Sequence, residues 1–292
     1  MYLSMRKNAA LTSLAIGFLA IVSYCQLQIP ALIADGLSNI MNGNYNSAHI
    51  FTFGIVFFCK NVALGLGSSL ASYIESDTRF FLINSILSNP TLNNVATGLT
   101  LVKEDAERVA SAVSELIQLT GSCILTILTA YILIAENFYF CVPIIVITIF
   151  TTRYVRTATK TVQEAYKTEI KKEELYKASI LQLFNLNTSR HQSKHSSLTK
   201  IHRHLEEATY ARYLYNKTTL VLSFWPELAI AISAVFIIML SARFSTELFG
   251  VKLIAYLGYI GIFSMASANS VRMALSLIGI NVSVKRIFEG RI

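Results

Sequence analysis

Long apolar runs alternate with polar, charged stretches along the chain. Six runs are nearly free of charge: Ala9–Ala34, Ser47–Tyr73, Leu116–Ala135, Phe138–Thr152, Thr218–Ala242 and Leu248–Val271. A helix needs about 20 apolar residues to cross about 30 Å of hydrocarbon. All but the fourth reach that length, and the fourth follows a tight turn predicted at Glu136–Asn137. The pattern predicts an all-α membrane protein with six transmembrane helices, at 9–34, 47–73, 116–135, 138–155, 218–242 and 248–271.

The polar stretches carry helical periodicity of their own. Val162, Tyr166 and Ile170 recur every four residues. Leu198, Ile201, Leu205, Ala208 and Arg212 recur at alternating steps of three and four. Such seams extend a membrane helix into water. Fifteen or so residues give an extension of about 22 Å. Two breaks are expected. Asn89–Pro90 and Gly98 bracket one, because Pro90 lacks a backbone donor and Gly98 tolerates left-handed geometry. A helix then resumes from Lys103. Asn185–Ser197, polar and without periodicity, is the other. The chain is thus expected to form two hairpins, each a helix down, a short crossing piece and a helix up. The Trp225-Pro226-Glu227 run predicts a kink in the fifth helix.

Composition sharpens this picture. Hydrophobic residues make up 53% and charged residues 14%, against about 25% charged in ordinary globular domains. The net charge is +8, and 13 of the 25 Lys and Arg fall between Arg153 and Lys217. The loops 38–46 and 136–137 hold none. Positive segments remain cytoplasmic, which predicts both termini inside. The basic residues flank spans, where anionic lipid accounts for them, so a nucleic-acid partner is not expected. The first run, after Arg6–Lys7, is too long for a signal-peptide core and reads as a retained span. Cys25, Cys59, Cys123 and Cys141 lie in or beside spans without metal-ligand spacing.

Several local patterns resemble the transmembrane domain of type 1, exporter-type ABC transporters. Arg79-Phe80-Phe81-Leu82, Ile86-Leu87 and Pro90 resemble the end of that family's second helix. Gly98 and Asp105 resemble positions in the segment that follows. Glu174-Leu175 through Ser179-Ile180-Leu181-Gln182-Leu183-Phe184 resembles the second intracellular loop, and Ser283-Val284-Lys285-Arg286-Ile287-Phe288-Glu289 the close of the sixth helix. Pro30 and Asp35 fit as well. The resemblance covers essentially the whole chain. Against the pattern, the Gly98–Asp105 interval is about two residues short and lacks its usual Arg. Lys177 stands where Gly is common, and Gln182 where Lys is.

The resemblance implies an exporter-type ABC transmembrane fold, a domain-swapped dimer with a second, identical or different, transmembrane subunit, and a place in the plasma or inner membrane. It also implies an ABC ATPase carrying ATP and Mg, contacted through Pro90, Thr91, Leu92, Gly98, Glu173, Glu174 and Tyr176. The 292 residues contain no G-x-x-x-x-G-K-S/T loop to cradle phosphates. ATP hydrolysis is therefore expected on a partner subunit or on a domain outside this sequence. No cofactor or catalytic group is expected on the chain itself.

Charges inside spans carry the remaining signal, because each costs several kcal/mol unless solvated or paired. By residue count, Lys60 and Glu227 lie near the bilayer midplane. They either line a translocation pathway or, for Lys60, snorkel to the surface. Gly258, Gly261, Met265, Ala268 and Arg272 share one face of the sixth span. That face adds Met265 and Arg272 as pathway candidates, with an interfacial anchor the plainer role for Arg272. His191, His195, His202 and His204 cluster, but no carboxylate or Cys completes a metal site. The expected function is the membrane subunit of an ATP-driven exporter. The alternative is a six-span channel or secondary carrier, which would have no use for cytoplasmic hairpins.

Overall fold

The computed structural model describes residues 2–43, 47–88, 101–136, 141–186, 192–244 and 251–289. Among these, all regular structure is helical: α1 (Tyr2–Met41), α2 (Ser47–Leu87), α3 (Ala106–Glu136), α4 (Cys141–Leu186), α5 (Gln192–Phe244) and α6 (Val251–Glu289). A π-helical turn, Leu101–Asp105, leads into α3. The helix expected to resume at Lys103 therefore begins with a wider turn.

Four helical segments are long and apolar enough to cross a membrane: Asn8–Met41, Ser47–Leu87, Ala106–Ala135 and Ile254–Leu277. They contain or overlap the first, second, third and sixth expected spans. The fourth and fifth expected spans fall at the start of α4 and the end of α5, where only part of the side chains is described. The chain is thus an all-α membrane protein. Its large apolar side chains are exposed in the manner of a lipid-facing surface, Ile50, Phe51 and Phe58 among them. Several threonine hydroxyls on these helices are satisfied within the helix. Thr52, Thr126, Thr129 and Thr148 each donate to the carbonyl four residues earlier, at 2.6–2.8 Å, so these polar side chains meet no unsatisfied cost in hydrocarbon.

Two compact units divide the chain. One comprises Met1–Glu75, Val113–Tyr154 and Ser223–Ala274; the other comprises Ser76–Ala112, Val155–Leu222 and Leu275–Ile292. In the first, Leu133, Ile144, Tyr256, Ile260 and Phe263 form one core, and Ala15, Ala71, Ile74 and Ile117 another. In the second, Leu82, Ile86, Ala106 and Val109 pack with Ile280, Val284 and Ile287.

The second expected hairpin differs from the sequence reading. Glu173, Glu174 and Tyr176, expected to contact an ATPase, lie well inside α4, which is helical without interruption to Leu186. The expected loop over 185–197 is narrower, because α5 already begins at Gln192. The cause is local: residues 144–225 contain no Gly or Pro, and the Val162–Tyr166–Ile170 seam is buried along its whole length. At 53 residues, α5 is about 80 Å long, far more than a bilayer core requires.

Candidate functional site

In the first unit, α1, α2, α3 and α6 line a half-open cavity of about 330 Å³. Glycines bring the helices together. A Cβ on Gly121 would lie 3.1 Å from Leu19, and one on Gly67 would lie 3.4 Å from Phe18. A Cβ on Gly258 would lie 2.7 Å from the Pro30 ring, so α6 and α1 meet where only a hydrogen fits. The polar lining is Ser23, Gln26, Ser68, Gln118, Ser122 and Asn269; every other lining residue is apolar, and none is charged. Ser23 Oγ donates to the Leu19 carbonyl at 2.9 Å and Ser68 Oγ to that of Gly65 at 3.1 Å.

Of the pathway candidates, the cavity includes Met265, which is 64% exposed. Lys60 is half-buried on α2 and Arg272 is exposed on α6; neither lines the cavity. Glu227 lies in α5, with its side chain outside the described residues. A search of the spans for charge passes over the carboxamides Gln26, Gln118 and Asn269. Carboxamides in the apolar spans are the signal, but Gln28 and Asn61 share it without lining the cavity.

In the second unit a buried polar cluster joins three chain segments. Ser283 Oγ donates to Asp105 Oδ1 at 2.6 Å. Having one proton, Ser283 must then accept from the Tyr166 hydroxyl at 2.7 Å. Asp105, Tyr166 and Ser283 are each at most 3% exposed. The Arg108 guanidinium lies 5.0 Å from the Tyr166 ring centre and 3.4 Å from Glu169 Oε1. The Tyr215 ring stacks at a tilt on Tyr166, 5.4 Å away. Burial pushes the pKa of both tyrosines above the ordinary value, so both stay protonated and neutral. Asp105 and Ser283 both belong to the segments that carry the ABC resemblance, and their contact ties the start of α3 to the end of α6.

The coupling candidates fall in two groups. Pro90, Thr91, Leu92 and Gly98 lie outside the described residues. Glu173, Glu174 and Tyr176 are half-buried on α4. Lys177 pairs with Glu104 and, one turn back, with Glu173 at 3.6 Å. Burial, and then the nearby Glu104 carboxylate, raises the Glu173 carboxyl above its ordinary range despite Lys177. On the same helix Lys172 bridges to Glu207 at 2.8 Å, holding the Glu207 carboxyl below its ordinary range with help from Arg203. Among the described residues no cluster of three His, Cys, Asp or Glu is placed to hold a metal. No family model and no curated protein matches the chain.

Proposed function

We propose that this chain is the membrane-spanning subunit of an ATP-driven exporter, with six spans, both termini cytoplasmic, and an ABC-type ATPase as its engine. One observation carries the reading. Helices α4 and α5, 46 and 53 residues long, run far past the length a bilayer needs, and a separate compact unit is built from their polar parts. A channel or carrier has no need of such a unit; a protein receiving force from a soluble partner does. Its interior is pinned by the Asp105–Ser283–Tyr166 cluster, which suits a part that must move as one piece.

The apolar flanks of α4 and α5 support a second subunit. Val142, Val146 and Ile149 are all exposed, as are Leu220, Ile232 and Met239. In the proposed dimer these helices reach across to the other transmembrane subunit, and lipid covers what remains. ATP closure would act through 88–98 and the α4 segment around Tyr176. Single cysteines at Leu92 and Tyr176, in a complex assembled in native membranes, test this. Crosslinks to an ATP-binding polypeptide that change with nucleotide are expected. Both positions freely labelled and never crosslinked would count against the reading.

A further inference from the structure

The cavity between α1, α2, α3 and α6 has a chemistry that restricts its occupant. Its volume, about 330 Å³, falls in the range of small-molecule sites. Gln26, Gln118 and Asn269 come from three different helices and converge on it. Among the described residues none of these three carboxamides makes a hydrogen bond, whereas the Ser23 and Ser68 hydroxyl protons are already used within their own helices. A carboxamide offers two donors and two acceptor positions. Gln118 is exposed, whereas Gln26 and Asn269 are half-buried; facing pure hydrocarbon these two would be left unsatisfied, so a lipid tail fits poorly. No lining residue is charged. An ammonium or carboxylate would shed its hydration with nothing opposite to replace it.

We infer that this cavity is a binding site, formed within one chain, for an uncharged molecule with an apolar body and a carboxamide or hydroxyl group. As a statement of what is carried, this rests on the exporter reading; as a statement of what binds, it rests on the cavity alone. Met265, exposed at the mouth, and Met273, on the same helix, flank the position such a ligand would take.

The test uses two photoreactive probes of the same shape, 4-benzoylbenzamide and 4-benzoylbenzoate. The purified full chain in lipid nanodiscs is irradiated with each, and crosslinked peptides are mapped by mass spectrometry. The amide should label the α6 peptide bearing Met273 saturably, and the carboxylate about tenfold less. Asn269→Leu should lower amide labelling severalfold. Met265→Trp, which narrows the mouth and leaves every carboxamide in place, should do the same; circular dichroism and gel filtration confirm that both variants are folded. Equal labelling by the two probes would overturn the inference. So would unsaturable labelling spread over exposed α2 residues such as Phe51 and Phe58, or full labelling of both folded variants. Because no ATPase enters the experiment, a negative result leaves the exporter reading standing, and failure of that reading leaves this result intact.

Discussion

Substituting Gly258 by alanine tests how α1 and α6 meet. The added methyl would lie 2.7 Å from Pro30 Cβ and 2.9 Å from its Cγ, well inside van der Waals contact. The proline ring is fixed to its own helix and has no rotamer by which to withdraw. The helices must separate, and overpacking of this kind costs about 1–3 kcal/mol. At about 2–4 °C per kcal/mol, the unfolding midpoint should fall by roughly 2–12 °C. Gly261→Ala is the internal control: nothing lies within 4 Å of where its Cβ would stand, so only helix propensity acts, and it favours alanine by up to about 1 kcal/mol. Both variants are compared with the parent by thermal unfolding in one detergent. A Gly258→Ala midpoint equal to or above that of Gly261→Ala would refute the close approach.

Ser283→Ala removes the hydroxyl between Asp105 and Tyr166 and should cost about 1–3 kcal/mol. Ser264→Ala, whose Oγ has no partner among the described residues, should be neutral or stabilising, and equal losses in the two would contradict the assignment. The raised Glu173 carboxyl binds its proton more tightly in the folded chain. Its stabilising contribution is therefore present below the ordinary carboxylate range and fades as pH rises through the raised value. Glu173→Gln should flatten the dependence of the unfolding midpoint as pH rises above the ordinary carboxylate range, and be no less stable once that range is passed; an unchanged pH profile would count against it. Lys60→Met should leave expression and assembly normal while reducing or redirecting export, measured in vesicles; wild-type transport would mark Lys60 as incidental.

The apolar runs make the membrane helices legible because lipid leaves no other reading for some twenty apolar residues. Helix ends are less so. The stretch around Glu173 and Tyr176, expected to contact an ATPase, is continuous α4, because charge and polarity do not break a stretch that is free of Gly and Pro and keeps a buried seam. The cavity is legible only through Met265. Its carboxamides come from helices separated by tens of residues, and single-span periodicity cannot report which of them converge. The Asp105–Ser283 bond, 178 residues apart in sequence, is hidden for the same reason: two ordinary polar residues acquire a role only when α6 packs beside the turn that begins α3.

The most direct measurement of the central claim is ATP turnover. The tagged chain is purified from native membranes in mild detergent, assayed for vanadate-sensitive hydrolysis, then stripped of peripheral partners and assayed again. The account predicts turnover in the complex, a co-purifying polypeptide with a G-x-x-x-x-G-K-S/T loop, loss of activity on stripping and recovery when that polypeptide is returned. A complex that transports without hydrolysing ATP, or turnover that persists in the stripped 292-residue chain, would contradict it.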